Sequence, residues 1–407
     1  MKKLFIMCAA LFFAANNIFS GNQLTLKDIA DGKFTAEYLS AVTPMTDAES
    51  YAMISKNGKK IIKYSYRTGK QVSVLLDVDN TVGEKIDKIE NYIMSPDGNK
   101  MLVQTNSKKI YRRSFTADYY IYNIADRKLE KLSDYGPQQS PVWSPDGMKV
   151  AFVRDNNIYL VKLLYGNSES QVTKDGKRNE VINGIPDWVN EEEFGFNSAL
   201  TFNADGSMLC WIRYDEKDVP TYSLQMFKGL VPENKEYAEY PGLYSYKYPK
   251  AGQKNSTVSV LSYDIQAHQT RTMQLQLDSD GYIPRIKSTS DAQKIIVYTM
   301  NRHQDQLCLY GVNPRSTVCK LLIKESVPKY VKEEAMSNIY ISSNHILMPS
   351  DRNGFMQLYL YSMTGQLQRK VTNGQYDVTD VYGYDEQTGD VYYQAAGKNP
   401  MNREVYV

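Results

Sequence analysis

Hydrophobic and polar positions alternate in short runs along most of this chain, and a recurring turn phrase precedes many of the runs. Pro fixes φ at the second turn position where it is present, while Asp and Gly supply a cap and a residue that tolerates positive φ. Each phrase therefore predicts a tight β-turn followed by an apolar strand. The phrases lie at 55–58, 95–98, 144–147 and 203–206, with looser copies at 288–291 and 385–389, and the strands after the first four are predicted at 59–64, 101–104, 150–153 and 208–212.

A second phrase lies between the turns, in which an apolar strand leads through a polar hairpin to another strand. It appears at 120–122 with 132–133, at 158–160 with 172–173, and at 358–360 with 371–372. Repeating units of this kind, without a long helical period, are typical of a sandwich or a radial array, and the regular repeat favours the array. Dividing residues 51–407 by a blade length of roughly 45 residues predicts an all-β propeller of about eight four-stranded blades. A short N-terminal arm, residues 21–50, precedes it.

The first residues of the chain indicate where the protein works. Met1-Lys2-Lys3 is positive, residues 4–15 are apolar, and residues 16–22 turn polar and small. This pattern predicts a signal peptide at 1–20 and an exported protein, periplasmic or secreted. The alternative is a transmembrane anchor, but the run is shorter than the roughly 20 apolar residues that a spanning helix needs. No membrane attachment is expected after cleavage.

Charge and composition narrow the possible partners. The formal net charge is +2 and no block of like charge occurs, so no nucleic-acid partner is expected. The histidines, His268, His303 and His345, give no spacing stronger than the weak His303-X-Asp305 pair, so neither a metal site nor a cofactor is predicted.

One crossing between blades is much longer than its equivalent. Ser133 to Ser144 spans eleven positions, whereas Thr173 to Asn203 spans thirty. Inside the insertion, Pro186-Asp187 predicts the start of a short helix that carries three adjacent glutamates at 191–193. These carboxylates either face water and complement the helix dipole, or they crowd negative charge that a bound cation such as an ammonium group relieves.

The insertion resembles a segment of a known family. Asp187-Trp-Val-Asn-Glu-Glu-Glu193 is similar to the Asp-Trp-Val-Tyr-Glu-Glu-Glu segment of the dipeptidyl peptidase IV family, in which the second and third glutamates hold the free N-terminus of the substrate. The resemblance implies this role for Glu192 and Glu193, although Asn190 stands where the family has Tyr. Further resemblances extend along nearly the whole mature chain, at 26–34, 248–258 and 377–385.

Two other segments resemble binding elements of this family. Tyr111-Arg-Arg-Ser-Phe115 is similar to a segment whose first arginine hydrogen-bonds a carbonyl of the bound peptide, which implies this role for Arg112; without the resemblance, Arg112 is a solvated charge. An arginine and two glutamates so placed would measure a short distance from the N-terminus of a peptide. The segment Tyr214–Tyr246 resembles an extended arm that pairs two propellers in a homodimer, and simple packing at the rim is the alternative.

The sequence contains no Gly-X-Ser-X-Gly motif and no strand–helix alternation, so an α/β-hydrolase domain with catalytic Ser, Asp and His residues is expected to be absent. The resemblance then implies the substrate-gating propeller of an exported serine exopeptidase that releases N-terminal dipeptides. Such a chain would be inactive alone, with a separate or lost hydrolase half. The alternative is a stand-alone propeller that binds peptides or proteins and catalyses nothing.

Two cysteines flank a predicted turn. Cys308 and Cys319 lie on either side of Gly311, Asn313 and Pro314, so they could face each other across a hairpin. In an oxidising compartment such a pair would form a disulfide, and free buried thiols are the alternative.

Overall fold

The computed structural model describes residues 24–36, 41–227, 239–397 and 399–407. The predicted signal peptide at 1–20 lies outside these residues, as does the 228–238 part of the Tyr214–Tyr246 segment. The described chain is a β-propeller in which seven sheets of three to five strands follow one another as blades. An N-terminal helix, α1 (Leu26–Ala30), precedes them.

The first three blades lie between residues 43 and 171, and apart from β5, which pairs parallel to β9, their strands are antiparallel. Blade 1 contains β1 (Thr43–Pro44), β2 (Ser50–Ile54), β3 (Lys60–Ser65) and β4 (Gln71–Asp77). Blade 2 contains β5 (Val82–Gly83), β6 (Asn91–Met94), β7 (Lys100–Lys109), β8 (Phe115–Asn123) and β9 (Lys128–Lys131). Blade 3 contains β10 (Gln139–Trp143), β11 (Lys149–Arg154), β12 (Asn157–Lys162) and β13 (Ser168–Gln171). Short 3₁₀ turns follow β4 and β12, at Val78–Asn80 and Leu163–Tyr165.

Blade 4 is the largest unit because its strands are separated by two insertions. It contains β14 (Val181–Asn183), β15 (Leu200–Phe202), β16 (Met208–Asp215), β19 (Thr257–Asp264) and β20 (Gln269–Thr272). The first insertion holds the helix α2 (Trp188–Phe194). The second is a separate two-stranded hairpin of β17 (Thr221–Met226) and β18 (Gly242–Lys247).

The last three blades complete the described chain. Blade 5 contains β21 (Tyr282–Ser288), β22 (Ile295–Met300), β23 (Gln306–Val312) and β24 (Cys319–Ser326), and the helix α3 (Glu333–Ser337) follows it. Blade 6 contains β25 (Tyr340–Ile341), β26 (His345–Ser350), β27 (Gln357–Ser362) and β28 (Leu367–Lys370). Blade 7 contains β29 (Val378–Tyr384), β30 (Val391–Ala395) and β31 (Glu404–Tyr406).

The predicted turns form as the sequence indicates. The glycine amide of each of the four closest phrases donates to the carbonyl of the first turn residue, at 2.8 Å in the first phrase, 2.9 Å in the next two and 3.0 Å in the fourth. Each of these glycines has φ between +65° and +72°, the left-handed region where glycine is unstrained. Strands β3, β7, β11 and β16 follow these turns, which confirms the four strand predictions.

The predicted count of about eight blades is wrong for the described chain, which has seven. Dividing the chain length by an average blade length overestimates the number of blades, because blade 4 occupies residues 181–272, about twice the usual blade length. The helix and the separate hairpin of blade 4 take up residues without adding a blade. Blade 1 begins at β1, in which Thr43 pairs with Ala52 of β2.

Apolar side chains between neighbouring blades hold the ring together. The largest cluster joins blades 3, 4 and 5 and includes Trp211, which is fully buried and donates through Nε1 to Asn183 Oδ1 at 3.0 Å. Smaller clusters join blade 1 to blade 2, blade 2 to blade 3, and blade 6 to blade 7. Burial of this kind, at about 25 cal/mol per Å² of apolar surface, is the main stabilising term in such a fold.

The predicted disulfide does not form, and the strand register explains why. Cys308 lies opposite Lys324, while Cys319 lies opposite Val312, so the two cysteines are separated by about 13 Å along the hairpin. Disulfides join Cα atoms roughly 4 to 7 Å apart. Both thiols are free.

Among the described residues, no helix has the length and apolar character that a membrane-spanning helix requires.

Candidate functional site

The short helix α2 begins and ends at residues suited to these positions. Asp187 is the N-cap, and its carboxylate accepts from the backbone N–H of Asn190 at 2.8 Å. Gly195 ends the helix at φ +68°, where its amide donates to the Glu191 carbonyl. This confirms the helix start that Pro186-Asp187 predicts, and it places the three glutamates within two turns.

Arg112 and Glu192 form an ion pair although they are 80 residues apart in the chain. Arg112 lies in the loop between β7 and β8 of blade 2, and its Nε donates to Glu192 Oε2 at 2.8 Å and to Oε1 at 3.2 Å. The Arg112 side chain is 69% exposed and that of Glu192 is 22% exposed. The structure therefore brings these two predicted binding residues together on an accessible surface.

Glu193, the third predicted binding residue, is exposed and turns toward blade 5. Its carboxylate accepts from Nε2 of Gln304, in the loop between β22 and β23, at 3.1 Å. It also lines a cavity of about 730 Å³ whose other walls include Trp188, Tyr248 and Arg302. Glu192 and Glu193 are adjacent in the chain, and their partners belong to different blades, Arg112 to blade 2 and Gln304 to blade 5.

Glu191 differs from its two neighbours because it is fully buried. Its Oε1 accepts from the backbone N–H of Arg113 at 2.5 Å and from that of Ser114 at 2.8 Å. The sequence pattern does not separate this glutamate from the next two. Its role depends on contacts with a loop 77 and 78 residues away, which no local signal encodes.

The start of α2 is anchored to the propeller by buried polar groups. Ser256, just before β19, donates to Asp187 Oδ2 at 2.5 Å, and the Asn190 side-chain amide donates to Asp187 Oδ1 at 2.8 Å. Burial raises the pKa of Asp187, while these hydrogen bonds oppose the rise. Asn190, which stands where the resembled segment has Tyr, is thus part of the cap.

The end of α2 is held by a second set of contacts. Arg285 in β21 donates to the Phe194 carbonyl at 2.5 Å and pairs with Glu333 at 3.2 Å. At the first residue of the helix, Trp188 packs on Tyr248 with ring centroids 4.1 Å apart. The exposed carboxylates are therefore presented by a short helix that is fixed at both ends.

A second cavity, of about 640 Å³, lies beside the loop that carries Arg112. Its walls include Tyr111, Ser114, Tyr244 and Glu216. Glu216 is only 5% exposed, and burial, followed by the negative charge of Asp187, raises the pKa of its carboxyl to about 7.

Within residues 24–36, 41–227, 239–397 and 399–407, no cluster of three or more His, Cys, Asp or Glu side chains has the arrangement of a metal site.

The chain is similar in sequence and in structure to proteins named as dipeptidyl peptidases. The sequence profile described as "Dipeptidyl peptidase IV (DPP IV) N-terminal region" matches residues 95–407. A solved structure of dipeptidyl peptidase 4 from Porphyromonas gingivalis is 37% identical, with a TM-score of 0.89, and the match covers 95% of this chain and 54% of that one.

Curated relatives give the same result. "Probable dipeptidyl peptidase 4" of Aspergillus clavatus is 29% identical over 381 residues, which are 90% of this chain and 49% of that protein. "Dipeptidyl peptidase 4" of Trichophyton equinum is 28% identical over 326 residues, covering 78% of this chain and 41% of that protein. The chain thus spans about half the length of the relatives it matches, or less.

Proposed function

Since the chain belongs to the family of the dipeptidyl peptidase IV N-terminal region, we propose that its propeller binds the free N-terminus of peptides for a serine exopeptidase. Glu192 and Glu193 bind the α-ammonium group, and Arg112 binds a backbone carbonyl of the peptide. The observation that carries this proposal is the approach of Arg112 to Glu192 across 80 residues of sequence, on a surface accessible to a peptide.

The chemistry of the three side chains suits such a ligand. Two adjacent carboxylates concentrate negative charge, and an ammonium group between them relieves their repulsion. Within the described residues Arg112 donates to a protein acceptor through Nε alone, which leaves both Nη groups for a peptide carbonyl. A cation site beside a carbonyl site selects an unblocked N-terminus and a fixed distance from it.

Proteolysis would require a hydrolase domain outside the described residues, and the N-terminal arm supports the proposal of such a partner. In and near α1, the side chains of Leu24, Leu26, Ile29 and Phe34 are 54% to 86% exposed. Exposed apolar groups that lie close together mark docking surfaces. We propose that the assembled enzyme releases dipeptides from peptide N-termini. A propeller that binds peptides and catalyses nothing is the alternative outcome of the test below.

The test is an NMR-monitored titration of the purified chain with a Gly-Pro-initiated peptide and with its N-acetylated copy. We expect the free peptide to bind at least tenfold more tightly, which corresponds to about 1.4 kcal/mol. Glu192→Gln and Glu193→Gln should each remove most of this preference. Glu334→Gln is the matched control, since Glu334 is an exposed glutamate in the first turn of another short helix.

Equal affinity for free and acetylated peptide would contradict the proposal. If the free peptide is preferred, addition of the proposed hydrolase partner distinguishes a peptidase from a binding module. Cleavage of a Gly-Pro chromogenic amide in the mixture, lost in the Glu192→Gln variant, supports the peptidase. Peptide binding without cleavage supports the binding propeller.

We also propose that the protein is exported and that it forms a homodimer. Export rests on the leader at 1–20, and N-terminal sequencing of the protein from a periplasmic or secreted fraction would test it. The homodimer proposal rests on the β17–β18 hairpin, which forms its own two-stranded sheet between β16 and β19 of blade 4. Sedimentation should show a dimer, and deletion of residues 222–246 should give a monomer.

A further inference from the structure

The carboxylate of Glu191 accepts hydrogen bonds from a loop of another blade, blade 2. It is fully buried, and its Oε1 accepts from two consecutive backbone amides, those of Arg113 and Ser114. Burial of a carboxylate is costly unless hydrogen bonds compensate it, and bonds to an ionised acceptor are the stronger ones. The two amides therefore fix the position of this loop relative to α2.

Two further contacts join the same loop to α2 and to the segment that follows α2. The side-chain amide of Asn197 donates to the Arg113 carbonyl at 3.0 Å, and Arg113 Nη1 approaches the Glu191 carbonyl at 3.5 Å. The loop is also closed on itself, because the Ile110 amide donates to the Ser114 carbonyl at 2.9 Å. Arg112 sits inside this closed loop, directly before the residue that is tied down.

We propose that Glu191 is a positioning residue that sets the distance between the Arg112 guanidinium and the carboxylates of Glu192 and Glu193. It does not touch the peptide. It determines how far from a free N-terminus a carbonyl must lie to be bound, and so it determines which peptides fit. This inference rests on the proposed function, because the distance matters only if these residues bind a peptide.

A ligand role for Glu191 itself does not fit the structure. Its side chain has no exposed surface, and Oε1 is already shared by two donors, whereas the next two glutamates reach solvent. Its Oε2 is buried without a protein partner among the described residues. Glu191 is thus a buried structural residue, whereas Glu192 and Glu193 reach solvent and are the proposed binding groups.

The first measurement needs no ligand. The Nε–H of Arg112 is hydrogen-bonded to Glu192, so in protein labelled with ¹⁵N-arginine it should give a resonance protected from solvent exchange. Arg112→Lys assigns the resonance by its loss. In Glu191→Ala we expect exchange to accelerate at least fivefold, whereas Glu191→Gln, which keeps an acceptor oxygen, should retain most of the protection. Unchanged exchange in Glu191→Ala would overturn the positioning role, whatever the protein binds.

The second measurement compares two peptides with free N-termini that differ in their first residue, an α-amino acid in one and a β-amino acid in the other. The extra methylene displaces the ammonium group by up to about 1.5 Å, one carbon–carbon bond. We expect the native protein to prefer the α-peptide at least tenfold. Glu191→Ala should reduce this ratio to about twofold, while Glu192→Gln should weaken the binding of both peptides.

Controls separate positioning from general stability and from the proposed function. Glu325→Ala removes another buried carboxylate, one that pairs with Arg352 and makes no hydrogen bond to Arg112, Glu192 or Glu193, and it should leave the α/β ratio unchanged. If Glu191→Ala fails to fold, Asn197→Ala releases the same loop without touching Glu191 and should lower the ratio in the same direction. A native protein that ignores N-acetylation refutes the proposed function. Suppose that the native protein prefers free N-termini but that Glu191→Ala or Asn197→Ala leaves the α/β ratio unchanged. This result refutes only the positioning role.

Discussion

Ser256 donates a hydrogen bond to the carboxylate of Asp187, the residue that caps α2. Ser256 directly precedes β19, so this contact joins the helix that carries the glutamates to a long strand of blade 4. Both residues are buried, at 2% and 4% exposure. The orientation of the exposed carboxylates is therefore set by a polar contact beneath them.

Replacement of Asp187 tests how much this contact supports the site. Asp187→Ala removes the cap and leaves the Ser256 hydroxyl without its acceptor, so we expect a loss of about 1–3 kcal/mol in the free energy of unfolding. Asp187→Asn keeps a capping oxygen and should lose less. Urea denaturation of the three proteins measures the difference. An alanine variant as stable as the native protein would show that the cap does not hold α2.

Replacement of Arg112 should affect binding and leave stability nearly unchanged. Its side chain is 69% exposed, and an ion pair of this kind contributes at most about 1 kcal/mol to stability. We expect Arg112→Ala to weaken the binding of a free-N-terminus peptide about tenfold while the melting temperature stays within a few degrees. Arg369→Ala, on an exposed strand of blade 6, is the matched control. If Arg112→Ala and Arg369→Ala bound the peptide with equal affinity, Arg112 would not be a binding residue.

The repeating part of the fold could be read from the sequence because local chemistry determines it. The turn at 95–98 needs a residue with positive φ at its last position, and Gly98 provides it at +72°. The same reasoning located the strands after the turns and the short helix after Pro186. It failed for the number of blades, since average spacing cannot distinguish a blade from an inserted hairpin.

The arrangement of the site depends on contacts that are distant in the sequence. Three consecutive glutamates look alike in the chain, yet one is buried by a loop of blade 2 and the other two reach solvent. The resemblance to a known segment selected Glu192 and Glu193 for binding, but it gave no reason for Glu191. The disulfide prediction failed for a related reason, because the register of a hairpin decides which cysteines can meet.

The thiols of the three described cysteines should therefore all be reduced in the folded protein. Cys308 and Cys319 are partly exposed, and burial raises the pKa of both, so we expect slow alkylation of the native protein at these two sites. Cys210 is fully buried and should react only after unfolding. Mass spectrometry of native and unfolded protein treated with iodoacetamide measures this order. A peptide in which Cys308 is linked to Cys319 would contradict it.

Glu216 should make the stability of the protein fall as the pH rises. Burial is the main cause that raises its pKa from 4.5 to about 7, with a contribution from the negative charge of Asp187, while the positive charges of Lys247 and Arg178 oppose the rise. A carboxyl group whose pKa is higher in the folded state favours folding fully below its unfolded pKa. This contribution is lost as the pH passes from about 4.5 through 7.

The isosteric change Glu216→Gln removes this titration and keeps the shape of the side chain. We expect the variant to gain stability relative to the native protein between pH 5 and pH 8, by up to about 3 kcal/mol, because a pKa shift of one unit corresponds to about 1.4 kcal/mol. Urea unfolding of both proteins at the two pH values measures the gain. Glu130→Gln, at an exposed ion pair with Lys128, is the control and should follow the native pH profile. If the profiles of Glu216→Gln and the native protein ran parallel from pH 5 to pH 8, the pKa of Glu216 would not be raised in the folded protein, and the attraction of Lys247 and Arg178 would have to offset its burial.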